Sequence, residues 1–407
     1  MTVQKSNFFE LAKEAVTMPQ ETMVKIKSDR KSSVVGVPRE TSLEENRVGL
    51  TPQAVRYLVA NGFEVVVETR AGNEAKFTDE DYTQAGAKIS YDKKEAFRAD
   101  IIMKVTLPTI EEVELMRSGQ ILFSALHLQL LSTRKLKLLA EKKVTAIAFE
   151  YLKDAYNVFP VVQSMSEIAG TTAVLIAAEY LTNVNFGNGI MLGGVTGIPP
   201  SEVVILGAGT VGQLAAKTAL GLGAEVKVFD NSLFKLRRLK NNLSARIFTS
   251  VLDPQNLLRA LKHADVVIGA IRSPGGSAPC VVTEEMVAHM KPGAVIVDVS
   301  IDQGGCFETS EVTTHSHPTF LKYDVIHYCV PNIPSRVART ASTALANIFA
   351  PILVDIDQVG GLENYLWERN GLRHGLYYYK GKLTNAFLGE RFNLSYKEID
   401  LLLAAKW

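Results

Sequence analysis

The sequence predicts an α/β fold: two Rossmann-like domains with parallel sheets flanked by helices, and a cleft between them. Three observations predict it. Short apolar runs alternate with helical or loop segments along most of the chain, the pattern of a mostly parallel sheet covered on both faces. The stretch "SEVVILGAGTVGQLAAKTALGLGAEVKVFD" places a glycine-rich turn between a strand and a helix. The 407 residues exceed what one hydrophobic core usually serves, so about two domains are expected.

Residues 1–32 read as a polar, partly helical extension. "SVVGVPRE" then opens the alternation. Thr51-Pro52 reads as an N-cap followed by proline at the first helical position. Val55, Leu58 and Val59 share one face of that helix, and Gly62 ends it. "FEVVVET", "IIMKV", "ILFSAL" and "TAIAFE" follow as strands. "SEIAGTTAVLIAAEYLTNVN" is a long helix opening a second unit near residue 161. "GNGIMLGGVTGIPP" reads as a loop, because no helix begins after it; a position near a cofactor is left open. "RIFTS", "DVVIGAI", "AVIVDVS" and "VIHYCV" continue the second sheet, and "RTASTALANIFAPILVDI" is a long apolar helix, with more helices expected to Trp407. The expected boundaries are 1–160 with 339–407 for a substrate domain, residues 1–32 being its extension, and 161–338 for a nucleotide domain.

Composition excludes several function classes. Hydrophobic content is 47%, charged content 21% and net charge +1, which gives no basic surface for nucleic acid or an anionic membrane. No apolar run of about 18 residues is evident, so no transmembrane helix is expected. The N-terminus lacks a secretory pattern. Cys280, Cys306 and Cys329 have no CxxC spacing, which points to a reducing, cytoplasmic setting. "HSH" at His315 to His317 lacks partner ligands and reads as a loop, and no metal is expected. Cys306 has no base placed for it and reads as a small buried residue.

The Gly207-Ala208-Gly209-Thr210-Val211-Gly212 turn has an acid, Asp230, 23 residues after Gly207. Strand, turn, helix and acid together make the βαβ dinucleotide context. Gly207 permits the tight turn, Gly209 the approach of a pyrophosphate, and Gly212 close helix packing. The helix start offers N–H groups to phosphates. Asp230 would accept from ribose hydroxyls and repel a 2′-phosphate, which favours NAD. Lys235, Arg237 and Arg238 temper that preference, and Lys235 joins the cofactor-binding candidates.

"AVIVDVSIDQGGCFE" turns a buried strand into a loop carrying Asp302, Gln303 and two glycines. Either Asp302 belongs to an ordinary turn, or it is held toward a ligand at the carboxyl end of the sheet, where such ligands lie. Gly304 and Gly305 would let that loop pass close to a bound ring.

The stretches "GVPRETSLEENRVGLTP", "IIMKV", "ILFSALHL", "MSEIAG", "VVILGAGTVG", "VDVSIDQGGCFETS" and "YCVPNIPSRVARTAS" occur in an order and spacing that resemble the bacterial alanine dehydrogenase family. The nucleotide-binding subunit of proton-translocating transhydrogenase shares this fold, but its corresponding loop looks like Gln-Asn-Gly-Gly and it lacks a match to His127. The resemblance implies the reversible NAD-dependent conversion of L-alanine to pyruvate and ammonium. It implies that Arg47 and Lys104 bind substrate, Lys104 at its carboxylate and carbonyl oxygen. It implies that His127 is a general acid/base, with Asp302 orienting the amine or sharing its protons. Ser166 matches a position near the cofactor phosphates, Met165 one near the cofactor, and Asn332 one near the nicotinamide. Homo-oligomers, hexamers or dimers, are also implied. Taken singly, most of these residues are ordinary surface, strand-end or loop residues.

Ile333 and Arg272 depart from the family pattern, so a related amino-acid dehydrogenase with an altered substrate stays open. A non-catalytic NAD-binding module of the transhydrogenase type is the alternative from another class.

Overall fold

The computed structural model describes residues 33–42, 44–126, 130–183, 186–243, 245–273 and 276–404. The extension 1–32 and His127 lie outside the described residues. The first sheet has eight strands in the order β15-β14-β6-β5-β4-β1-β2-β3. These are β1 Val34–Val37, β2 Glu64–Glu68, β3 Lys88–Ser90, β4 Ile101–Met103, β5 Ile121–Ser124, β6 Thr145–Ala148, β14 Leu376–Tyr379 and β15 Lys382–Leu383. The second has seven in the order β12-β13-β11-β10-β7-β8-β9: β7 Glu202–Leu206, β8 Glu225–Phe229, β9 Phe248–Ser250, β10 Val266–Gly269, β11 Val295–Asp298, β12 Thr319–Lys322 and β13 Val325–Tyr328.

Both sheets are parallel in their middles and antiparallel at one edge. β12 runs against β13, and β14 against both β6 and β15. The sequence reading missed this. Helices were expected to Trp407, yet "LYYYKGKL" forms a hairpin. Lys380 and Gly381 both have positive φ, 50° and 77°, as a two-residue hairpin turn requires. β14 and β15 thus return the chain to the first sheet, and Tyr377, Tyr378 and Leu383 are buried there.

The helix at Pro52–Ala60 forms as its sequence dictates. Thr51 caps it, accepting the Ala54 N–H, and Ala54, Val55 and Leu58 are buried on one face. The Ala338–Gln358 helix buries Leu345, Phe349 and Leu353, a period-four stripe, against the first sheet. The Pro160–Leu181 helix packs Ala173, Ala177 and Leu181 into the core of the second.

Among the described residues, two helices, Pro160–Leu181 and Ile333–Gln358, are long and apolar enough to cross a membrane by length and composition alone, a test the sequence reading did not expect any segment to pass. Single charged residues interrupt the apolar runs without lowering their average much. Both bury apolar faces in the cores just described, as central helices do.

Gly170 brings the Pro160–Leu181 helix against the Thr210–Gly221 helix: a Cβ there would sit 2.3 Å from the Val211 carbonyl oxygen. Gly170→Ala is therefore expected to destabilise the fold by about 1–3 kcal/mol, the usual cost of overpacking. Urea unfolding measures it, and an unchanged midpoint would mean the helices separate freely.

Candidate functional site

The dinucleotide motif sits at the carboxyl end of β7. Gly207 has φ 108°, and a Cβ there would lie 2.4 Å from the Ala270 carbonyl oxygen. A Cβ on Gly212 would lie 1.9 Å from the Gly207 carbonyl oxygen, so the helix can start this close to the strand only with glycine. Gly209 faces open space and caps the Thr210–Gly221 helix without a side chain. Its bare approach and the uncapped helix start fit a pyrophosphate.

Asp230 follows β8. Its Oδ2 accepts the Ala208 N–H at 2.8 Å and its Oδ1 the Ser232 N–H at 2.7 Å. The acid therefore shapes the glycine turn as well as facing it. A carboxylate has lone pairs beyond these two bonds for ribose hydroxyls. Lys235 Nζ lies 3.9 Å from Asp230. Ser166 lies one helical turn before Gly170, on the face directed at the glycine turn's helix. The loop at residues 186–200 lies elsewhere. Gly193 abuts the Leu222 carbonyl, at the end of the helix opposite the phosphate-binding start. A cavity of about 410 Å³ there is lined by Ala178, Asn183, Met191 and Leu222, and no titratable side chain lines it.

Asp302 is not at a strand end. β11 stops at Asp298, and Asp302 lies in the short 3₁₀ turn Val299–Gln303 beyond it. The fully buried acid is Asp298. It accepts the N–H groups of Ser300 and Cys306, each at 2.9 Å, and the Ser310 hydroxyl at 2.7 Å, which folds the loop back on itself. Gly304 and Gly305 serve that fold. Their φ values are 95° and 86°, and a Cβ on Gly305 would lie 2.8 Å from Asp298 Oδ2. Cys306 is buried, and burial together with the Asp298 charge pushes its thiol well up, leaving it a poor nucleophile.

Asp302 is open to solvent, although protein surrounds it. Those surroundings push its carboxyl above the usual range, against the Asn332 N–H and the charge of Arg47. Asp302 Oδ1 accepts the Asn332 N–H at 3.1 Å. Asn332 Nδ2 donates to Glu45 Oε2 at 3.0 Å. Glu45 grips the Arg47 guanidinium through two bonds, Nε at 2.7 Å and Nη2 at 2.6 Å, and accepts its backbone N–H at 3.1 Å, while Arg47 Nη1 lies 3.5 Å from Met165 Sδ. This run joins residues carried by the first sheet to residues carried by the second. Asn46 and Val48 add N–H bonds to Ser335 and Ser342, at 2.8 and 2.9 Å.

Lys104 follows β4 and is fully buried. Its Nζ lies 3.0 Å from Glu40 and 3.5 Å from Glu112. Burial disfavours its charge, but the two carboxylates outweigh that and hold its pKa above the ordinary value. The Glu40 charge also reaches Arg47. Arg272 is exposed, and its charge acts on Asp302 and on Tyr151. Ile333 is buried in the core of the second sheet. In the "HSH" stretch, the His315 N–H donates to Glu44 at 2.6 Å.

Arg47, Asp302 and Asn332 thus come together, Lys104 lies behind Glu40, and the glycine turn forms a separate part with Asp230, Lys235 and Ser166. Glu40, Glu45, Glu112 and Asp298 were missed as site-builders. The acid density of "RETSLEEN" beside Arg47, and the lone acid in "AVIVDVS", were the available signals.

Comparison with known proteins agrees in both halves. Residues 36–169 match the model of the alanine dehydrogenase/PNT N-terminal domain, and residues 173–386 that of the C-terminal domain. The chain is 41% identical over 368 residues to alanine dehydrogenase 2 of Staphylococcus aureus (strain USA300), covering 90% of this chain and 98% of the relative. It is 42% identical over 372 residues to alanine dehydrogenase of Staphylococcus saprophyticus, covering 91% and 100%. A solved L-alanine dehydrogenase superposes with TM-score 0.83 at 39% identity, covering 88% of this chain and 99% of that one. A transhydrogenase from Sinorhizobium meliloti superposes with TM-score 0.72 at 25% identity, covering 87% and 100%.

The Glu45–Arg47 pair should show in the acid limb of stability. Burial opposes the Glu45 charge, but Arg47 outweighs it and holds the carboxyl below its ordinary 4.5. A lowered folded pKa gives stabilisation that is complete above the unfolded value and lost as pH falls through the folded one. Glu45→Gln should cost about 3–5 kcal/mol near neutral pH, where it leaves Arg47 buried and unpaired. The gap in melting temperature from the parent should narrow below pH 4.5. A gap constant with pH would show that Glu45 does not carry the charge.

Proposed function

We propose that this chain, which belongs to the alanine dehydrogenase/PNT family, interconverts L-alanine with pyruvate and ammonium, using NAD. The observation that carries this reading is the hydrogen-bonded run Arg47–Glu45–Asn332–Asp302, which sets a cation for a carboxylate beside an acid for an amine. In the proposed reaction the nicotinamide, when bound, supplies or accepts the hydride. Arg47, fixed by Glu45, takes the substrate carboxylate, and the Lys104 cation behind Glu40 stabilises negative charge on the substrate oxygen. His127 moves the proton at that oxygen. Asp302, open to solvent, accepts from ammonium or the amine and orients it. Asp230 would favour NAD over NADP by repelling a 2′-phosphate, and Asn332, hydrogen-bonded to Asp302, would face the nicotinamide. Assembly into a homo-oligomer belongs to the same reading, and light scattering tests it.

The direct test is NADH oxidation by the purified chain with pyruvate, with and without ammonium. Ammonium-dependent oxidation is expected. A chain that binds NADH and never oxidises it would instead be a nucleotide-binding module. Asp302→Asn should lose roughly a hundredfold in turnover, the scale of acid/base contributions, with NADH affinity kept. Near-normal turnover would remove Asp302 from the chemistry. Asp230→Ala should weaken NADH binding and narrow its margin over NADPH, because the glycine turn loses the Ala208 bond along with the charge. Fluorescence titration with both nucleotides reads this, and an unchanged ratio would reassign Asp230 to structure alone.

A further inference from the structure

Glu44, the residue before Glu45, has a left-handed backbone, with φ 60°. Asn332, at the other end of the bond to Glu45, has one too, with φ 57°. Glycine or asparagine takes this conformation at least cost, so a glutamate held in it is uncommon. Such residues persist where surrounding contacts over-determine them, and they cluster at functional sites.

The Glu44 carboxylate holds a turn that precedes β12. Its Oε2 accepts the His315 N–H at 2.6 Å, and its Oε1 accepts the Ser316 N–H and hydroxyl, each at 3.2 Å. The turn presents those donors together. The His317 N–H donates to Thr314 Oγ1 at 3.1 Å, and the Thr314 N–H to the His317 carbonyl at 3.3 Å. The "HSH" stretch thus meets Glu44 through its backbone.

A third segment holds the Glu44 backbone. Its carbonyl accepts the Ser335 hydroxyl at 2.7 Å, and the same Oγ accepts the Asn46 N–H at 2.8 Å. Ser335 is fully buried in the turn Ile333–Val337, and its own N–H donates to the Asn332 carbonyl at 2.9 Å. One hydroxyl therefore bridges the residues before and after Glu45, and one N–H ties that bridge to Asn332. The His315 ring also lies against the Asn332 backbone.

We infer that Glu44 is a positioning residue for the Arg47–Glu45–Asn332–Asp302 run: by clasping the His315–Ser316 turn with its side chain and Ser335 with its backbone, it holds Glu45 and Asn332 at the spacing their hydrogen bond needs. The inference rests on the function proposed above, which gives that run its task.

The neighbouring acids divide the work. Glu40 bonds Lys104, Val105 and Thr106, while Glu45 bonds Arg47 and Asn332. Glu44 reaches the turn before β12 instead. Packing alone asks for no carboxylate there. Glu44 is half-buried, and glycine would fill its place with less backbone strain. What the carboxylate supplies is two oxygens for three donors.

The charges suit an ionised Glu44 beside a neutral imidazole. Burial opposes the Glu44 charge, but the bonds from His315 and Ser316 outweigh it and hold the carboxyl below its ordinary 4.5. Burial lowers the His315 pKa, with Glu44 and Glu45 acting against it and Arg336 with it. Arg336 is itself paired with Glu179 at 2.7 Å. At pH 8 both groups therefore hold one charge state, and variants can be compared there.

The test measures ammonium-dependent NADH oxidation at pH 8 for the parent, Glu44→Gly and Glu44→Gln, with NADH affinity by fluorescence. Melting temperatures are taken as well, and assays run well below the lowest of them, so that lost activity is not lost fold. Glycine accepts the left-handed backbone and removes the carboxylate. Glu44→Gly should lose about tenfold or more in kcat, the scale on which small misplacements of reacting groups act. Its NADH affinity should stay within about twofold, because the glycine turn lies outside the clasp. Glu44→Gln keeps an oxygen for the His315 N–H and should return to within about threefold of the parental kcat. Parental kcat in Glu44→Gly, or a kcat in Glu44→Gln no better than in Glu44→Gly, overturns the inference and leaves the proposed function intact. Equal losses of kcat and NADH affinity overturn it too, since they would mark a general loosening of the chain. A parent that turns over no pyruvate defeats the proposed function, and this inference with it.

Discussion

Asn332 carries the constraint on which the site depends. Its backbone is left-handed, with φ 57° and ψ 46°, a conformation that costs most residues about 1–2 kcal/mol and that asparagine tolerates better. That conformation points its N–H at Asp302 while its side-chain amide reaches Glu45. One residue on the second-sheet side thereby sets an acid from the same side against an arginine assembly from the other. A β-branched residue at this position would lose the backbone geometry and the amide together.

Acids do most of the building around the cations. Glu45 takes two donors of the Arg47 guanidinium, and Glu40 and Glu112 lie against Lys104. A guanidinium has more donors than Glu45 uses, and an ammonium has one more than these two contacts need. The internal carboxylates therefore orient each cation without exhausting it. They also keep both charged when buried, which isolated cations would resist. Asp298 plays the same part for the loop of Asp302, using its oxygens on two backbone N–H groups and the Ser310 hydroxyl.

Much of the fold was legible because parallel sheets leave strong marks. Buried strands such as Val203–Leu206 and Val295–Asp298 are near-continuous apolar runs, and the glycine turn has a spacing set by steric limits at Gly207 and Gly212. The β14–β15 hairpin was missed because its strands are short and lie among helices, so aromatic residues suited to either element decided nothing. In the site, Arg47, Asp302 and Asn332 could be named through resemblance. Their mutual contacts could not, because they rest on pairings across 287 and 30 positions of sequence. No local pattern encodes such pairings. Glu45 was legible in principle, two residues before the arginine it holds, but a surface i,i+2 pair reads the same way.

The separation between what the glycine turn needs and what the acid–arginine run needs explains why the two halves carry different kinds of residue. The turn must admit a ligand against bare backbone, so it is selected by the absence of side chains, and Asp230 stiffens it from below. The other half must hold charges at fixed places while one of them, Asp302, stays open to water, so it is crowded with side chains that brace one another. A binding module needs only the first half. The hydrogen bonds among Glu45, Asn332 and Asp302 fix charged groups that a phosphate cradle alone does not require.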